Sequence, residues 1–558
     1  MKLKKYITLF AALIALLGTA TLSYSFWDNG SKYFEIAKNM SLYADLYRTL
    51  DENYVDKIEP AGLMRKGIDS MLKTLDPYTN YITEAQIEGF RMQRTGAAGN
   101  IGAELLLRDN YVYLAAISQN QAAFKAGLMA GDKIVAINGT SAQNRTIEEV
   151  QQILQGQPGS EVKITYLRPG AAEEKTVSVI RDKEEGNSVP HFDMVDANTA
   201  YIKHTTFTQN CSGEVAQALK ELQSKNEVKN LILDLRQNGG GLLTESINMV
   251  NLFVPSGQLV VKTAGKTEEW RKDYKTQSEP IAPGLPLVIL IDERSASASE
   301  IVSGTIQDLD RGVIVGKQSF GKGLVQQTKD IGYNAKLKLT VSKYYIPSGR
   351  CVQAIDYSGK YFDGKSNLPD SLRKAFKTRN GRTVYDGSGV APDVTVDKPE
   401  LSNITKSLQE NFLIFDYATL YRQKHDSIAP PTKFVFTDAD FADFVQFISD
   451  KQYEYTTESE KLLAELLKSV KEEKYSDKVA EVISRLKTKI KEEKQKDLQK
   501  FKPEITELLK LEIISRYYYQ KGKVQATLNN DENIKKALAL FKNPAEYEKI
   551  LKGSAGGK

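Results

Sequence analysis

The chain has 558 residues, 41% of them apolar and 26% charged, with 76 Lys and Arg against 71 Asp and Glu. That length exceeds what one hydrophobic core supports and predicts about three or four domains. The net charge of +5 is too small for a nucleic-acid footprint, and two cysteines exclude a disulfide framework or a metal–thiolate cluster.

The chain opens on three lysines followed by an uncharged apolar run from Tyr6 to Trp27. Residues 1–27 therefore read as a secretory signal or a single membrane anchor. The bulk of the protein is expected outside the cytoplasm, periplasmic or held at the cytoplasmic membrane, and the residues leave cleavage versus retention open. Residues 28–93 carry helical apolar spacing and end in LDPYTNYIT, where Pro77 and Asn80 break the helix.

From 94 to 184 the pattern changes to short strands. GNIGAELLLRDNYVYLAAI alternates after a glycine bend, and AGLMAGDKIVAING carries turn residues between strands. TIEEVQQILQG predicts an amphipathic helix with Thr146 as N-cap and Glu149 completing a capping box. This ordered set resembles a PDZ domain, which implies capture of a peptide C-terminus on loop amides and pairing of the peptide with a sheet edge. The resemblance places peptide binding at Asn100, Ile101, Gly102 and Ala103.

Residues 185–430 alternate buried strands with helical patterns. NLILD, PLVILID and RGVIVG are continuous apolar runs, which predict an α/β core of mostly parallel strands with its site at the strand ends. Residues 431–558 read as charged helices forming a cap on that core or an arm for a partner. Leu462, Leu463, Leu466, Leu467 and Val470 form one stripe; Val479, Val482, Ile483, Leu486 and Ile490 form another. The closing KGSAGGK reads as disordered.

DERSASASEIVSG, residues 292–304, lies between a buried strand and a helix. A hydroxyl there would sit beside the free N–H groups of a helix start, although serines at such places are commonly caps. A serine nucleophile needs a base. The chain has three histidines, and none falls between residues 205 and 424; His204 is the best placed, with no orienting carboxylate near it in sequence. Lys322 instead follows within SFGKGLVQ, flanked by Gly321 and Gly323. To act as a base it must be neutral, which asks burial to bring its pKa from about 10.4 toward 7, about 4 kcal/mol of desolvation. GKQSFGKG also fits a phosphate-binding loop through Gly316, Gly321 and Lys322, but Gly323 stands where Ser or Thr would hold magnesium and LVQQT has strand composition.

SASASEI followed twenty-five residues after Ser297 by Lys322 in GKGLVQ resembles the C-terminal processing peptidases, tail-specific serine proteases with a Ser-Lys dyad. LDPYTNYIT, DLRQNGGG, YYIPSGRCVQ and GVAPDV extend the likeness across most of residues 35–400. It implies Ser297 as nucleophile, Lys322 as general base and Gln326 as the group orienting that lysine. Gly240 and Ala298 become candidate oxyanion donors, and Ser295 and Ser299 structural hydroxyls. It also implies a PDZ domain delivering protein substrates with apolar C-termini, no metal or organic cofactor, and leaves room for an adaptor or a homo-oligomer. A non-enzymatic scaffold and a hydrolase built on His204 are the rival readings. Cys211 and Cys351 are read as independent buried thiols, with pairing open.

Overall fold

The computed structural model describes residues 33–84, 86–87, 99–183, 188–355, 357, 373–397, 400–473, 477–528 and 530–553. The leader or anchor expected over 1–27 and most of the KGSAGGK tail lie outside these residues. Two units are defined, Met1–Tyr81 and Ile82–Lys558. In the first, a helix Pro60–Lys73 ends just ahead of Pro77, and the Asp76 carboxylate accepts the amides of Tyr78 and Thr79, both at 2.8 Å. No helix among the described residues is long and apolar enough to cross a membrane.

The second unit begins with a sheet in which Ala103–Arg108, Tyr111–Ile117, Lys133–Ile137, Glu161–Leu167 and Lys175–Ile180 pair in that order, all antiparallel. Alternation buries Val112, Leu114, Ile134, Val162 and Ile164 completely. The helix Ile147–Leu154 closes this core with Val150 and Leu154. Its capping box forms as the sequence predicts, Thr146 N donating to Glu149 Oε2 at 2.8 Å and Glu149 N to Thr146 Oγ1 at 3.2 Å. Ala103–Arg108 stands at the sheet edge.

A six-stranded sheet follows, ordered His191–Met194, Thr199–Lys203, Asn230–Asp234, Leu287–Ile291, Val313–Gly316 and Val394–Thr395. Its first pairing is antiparallel and the other four are parallel. The apolar runs exist because both faces are covered. Leu231, Leu233, Leu287, Ile289 and Ile314 face the helices Cys211–Lys225, Leu243–Asn251 and Ala298–Asp308. Ile232, Val288, Leu290, Val313 and Val315 meet Val524, Ile534, Ala537, Leu540 and Tyr547 from the last three helices. The chain's end thus forms the third layer of an α/β/α sandwich, and the Tyr547 hydroxyl donates to Leu287 O at 2.9 Å.

The expectation of mostly parallel strands needs correction. Beside the parallel sheet stands an antiparallel one containing Leu259–Gly265, Lys272–Lys275, Leu324–Gly332 and Ala335–Tyr345, and antiparallel pairing prevails over the sheets together. LVQQT is the start of a long hairpin and not another buried parallel strand. Tyr333 and Asn334, at φ +47° and +51°, form its two-residue turn.

The described residues from 431 onward are helical as expected, and the helical region begins earlier, with Asn403–Glu410 and Leu413–Lys424 lying inside the span 185–430 read as α/β core. Tyr417, Tyr421, Phe434, Phe436, Phe441 and Phe444 form an aromatic core with Ile505, Leu509 and Ile513. Arg108, at the end of the sheet-edge strand, meets Asp416 with both carboxylate oxygens at 2.8–2.9 Å. In the helices Glu458–Glu472 and Asp477–Lys494 only part of each predicted stripe turns inward: Leu463, Leu467, Val470, Ile483 and Ile490 pack together, while Leu462, Leu466, Val482 and Leu486 are exposed. The helical run Lys502–Leu528 kinks at Tyr519, whose φ is +57°.

Candidate active site

Ser297 sits where the strand Leu287–Ile291 gives way to the helix Ala298–Asp308. Its φ of +56° is a left-handed conformation costing an L-residue roughly 1–3 kcal/mol, so the surroundings must hold it. Ser295 Oγ donates to Leu235 O and Ser299 Oγ to Asn238 O, both at 2.9 Å. Ala296 N adds a bond to Asn238 O at 3.0 Å. The flanking serines therefore fasten the turn to the loop after Asp234 and leave Ser297 between them, the structural part that the resemblance implies for Ser295 and Ser299.

That loop carries NGGG. Gly240 has φ +100°, and a Cβ on it would lie 2.7 Å from Ala296 O and 2.8 Å from Ser297 Cβ. Only glycine allows this approach. Its amide, however, donates to Asn238 Oδ1 at 2.9 Å. In this conformation the candidate oxyanion donor Gly240 therefore has its amide taken by a neighbouring side chain. Ala298 N, the first amide of the helix, is among those no helical carbonyl reaches.

Lys322 lies in the connection from Val313–Gly316 to the hairpin strand, and no helix follows it, which removes the phosphate-loop reading. The glycines beside it serve close packing: a Cβ on Gly321 would meet Ala354 Cβ at 2.4 Å, and one on Gly323 would meet Gln353 N at 2.8 Å. Gln326 is on the hairpin, its Nε2 donating to Thr340 Oγ1 at 3.2 Å.

Sequence reasoning missed the group that joins the two halves. Glu300 is fully buried. Its Oε2 accepts both Ser297 N and Lys322 N at 2.8 Å, and its Oε1 accepts Gly321 N at 2.6 Å and Ser319 Oγ at 2.5 Å. Burial pushes its pKa up to about 7 against these bonds. The spacing S-x-x-E over Ser297–Glu300, read correctly at Thr146–Glu149, is the signal that could have found it. Tyr344, also missed, donates its hydroxyl to Lys322 O at 2.6 Å and lies 3.2 Å from Ser297 O.

Ser297, Lys322, Gln326, Gly240 and Ala298 all line one cleft of about 730 Å³, with Leu242, Leu243, Tyr274, Ile301 and Leu324 as its apolar wall. His204 does not line it. Its ring is wholly buried edge-on to Phe207, 4.5 Å between centroids, and burial holds its pKa down at about 4.

In the sheet domain, Gly102 has φ +68°, and its amide donates to Asn100 Oδ1 at 2.9 Å, so Asn100 shapes the loop. Ile101 is buried, its carbonyl accepting Ala123 N at 2.7 Å. Ala103 opens the edge strand. Cys211 and Cys351 are both free thiols.

The fold and cleft define a serine peptidase with an attached PDZ domain, and sequence comparison agrees. Peptidase family S41 matches residues 198–358, a PDZ domain residues 113–168, and a probable PDZ-protease C-terminal helical domain residues 404–541. The chain is 31% identical over 321 residues to a carboxy-terminal-processing protease of Bartonella bacilliformis, covering 57% of this chain and 73% of that one. It is 29% identical over 367 residues to a probable CtpA-like serine protease of Staphylococcus aureus, 66% of each chain. Among solved structures it is similar to the photosystem II D1 C-terminal processing protease, at 26% identity and a TM-score of 0.37, covering 64% of this chain and 92% of that one. The chain belongs to peptidase family S41, the carboxy-terminal-processing serine proteases.

Proposed function

We propose that the protein is an exported, ATP-independent endopeptidase that recognises protein C-termini through its PDZ domain and cleaves by a Ser-Lys mechanism. The observation that carries this reading is the shared cleft, in which Ser297 and Lys322 both take part while one buried carboxylate holds their two backbones. Neutral Lys322 takes the Ser297 hydroxyl proton as Oγ attacks the scissile carbonyl carbon. The oxygen of the tetrahedral intermediate, now an anion, meets the Ala298 amide, and the Gly240 amide as well if Asn238 Oδ1 releases it. The lysine ammonium then protonates the leaving amine, and the C–N bond breaks to give an acyl-enzyme. Water, deprotonated by the same amine, attacks the ester; Ser297 recovers its proton and the new carboxyl terminus departs. Gln326 orients the lysine. No cofactor enters these steps.

The edge strand Ala103–Arg108 with the loop Asn100–Ala103 supports docking of an apolar substrate tail by strand addition. The divisions 28–93, 94–184, 185–430 and 431–558 then separate an N-terminal helical region, a docking domain, the peptidase core and the helical region. Export rests on the apolar stretch 6–27, with the catalytic part outside the cytoplasm. Ser297→Ala and Lys322→Ala should each abolish cleavage of an unfolded protein substrate without unfolding the enzyme, and a fluorophosphonate should label Ser297 alone. Full cleavage by the lysine variant would reject the mechanism, and absence of labelling would favour a scaffold. His204→Ala should leave the mechanism intact.

A further inference from the structure

The cleft lined by Ser297 has no Asp or Glu in its lining, yet it carries a second lysine, Lys338. Lys338 is half-buried on the strand Ala335–Tyr345, directly across from Thr328. Its face of the hairpin also holds Gln326 and Thr340, which pair in the same register. Nearby cations are occupied: Lys336 pairs with Asp330, and Lys329 lies 5.2 Å from the Trp270 ring centroid. Among the described residues the Lys338 side chain makes no hydrogen bond, ion pair or ring contact. A half-buried ammonium facing a cleft without counter-charge is incompletely solvated there, and an anion entering the cleft would supply what the protein does not.

We propose that Lys338 selects substrates by a carboxylate, so that the cleft itself reads charge in addition to whatever the PDZ domain reads. The inference rests on the peptidase reading above. Lys338 stands two strand positions beyond Gln326, about 7 Å further from Lys322. An extended substrate lying along the hairpin would present an acidic side chain, or its own terminal carboxylate, to that amine at one fixed distance from the scissile bond. The apolar wall near Ser297 and the cation further along then impose two separate requirements on one substrate segment.

The test uses the whole enzyme and fluorogenic peptides in which a single Glu, or Gln as control, is moved one position at a time on either side of the scissile bond. A second series ends the peptide at each of those positions as a free acid or an amide, which distinguishes a side chain from a chain end as the source. One register should be cleaved about five-fold faster with the carboxylate than with its neutral partner, and high salt should shrink the ratio. Lys338→Met should bring that ratio to one, and Lys338→Glu should make Lys preferred at the same register. The ratio is also measured as affinity on Ser297→Ala protein by fluorescence anisotropy, which scores selection apart from chemistry. Wild-type enzyme without a register-specific ratio, or a Lys338→Met variant that slows all peptides alike, overturns the proposal. Cleavage persisting in Ser297→Ala would instead overturn the serine mechanism, whatever the Lys338 ratio.

Discussion

Asp531 Oδ2 lies 2.7 Å from Nη1 of Arg236, joining the N-cap of the helix Glu532–Lys542 to the loop that leads into NGGG. Arg236 also grips Asp234, whose carboxylate is held well below the usual range: burial raises it, but Arg236 and Lys203 outweigh that. Asp531 in addition caps its helix by accepting Asn533 N and Ile534 N. Asp531→Asn keeps a capping side chain and removes the charge. It should cost about 2 kcal/mol in urea unfolding and lower kcat with little change in KM, because the loop behind Ser297 loses an anchor while the cleft wall is untouched.

Gly240→Ala places a methyl group where Ala296 O and Ser297 Cβ already stand, on a backbone with positive φ. The turn bearing Ser297 must shift, and a displacement of about 1 Å at a reacting group lowers turnover about 100-fold. Gly239→Ala, where an added Cβ meets nothing within 4 Å, should be far milder. Steady-state kinetics on the two variants checks the contrast.

Glu300 sets a pH dependence of opposite sign for stability and activity. Its folded pKa of about 7 exceeds the ordinary 4.5, so its contribution to stability is complete below the ordinary value and is lost as pH rises through about 7. Thermal scans should show Tm falling over that window, and Glu300→Gln should flatten the slope. Cleavage should rise over the same window, since only the ionised carboxylate accepts all four donors without turning an O–H toward them.

Tyr344→Phe removes the hydroxyl that reaches Lys322 O and lies near Ser297 O. Leaving this part-buried carbonyl without its donor costs about 1 kcal/mol. We expect cleavage roughly ten-fold slower with wild-type peptide affinity, read by comparing kcat with binding to the Ser297→Ala form.

Much of the core is legible in the sequence. NLILD and PLVILID announced buried strands because burial on both faces leaves no polar alternation, and DERSASASEIVSG announced a passage from strand to helix. The hairpin Leu324–Tyr345 was obscured because its turn residues, Tyr333 and Asn334, lack the glycine that marks such loops most strongly. Asn238 was unreadable as the partner of the Gly240 amide, since a side chain folding back on its own loop leaves no periodic trace. Asp531 stood almost three hundred residues from Arg236 inside a charged helical stretch, where one carboxylate among many carries no distinguishing mark.

Tyr547, bonded to Leu287 on the underside of the parallel sheet, ties the helix Pro544–Leu551 to the strand that leads into the Ser297 turn. Within that helix Tyr547 is buried and Ile550 and Leu551 pack beside it, while Pro544, Ala545, Glu546, Glu548 and Lys549 face outward, so pulling the helix away would bare the apolar underside of the sheet whose strand leads to Ser297.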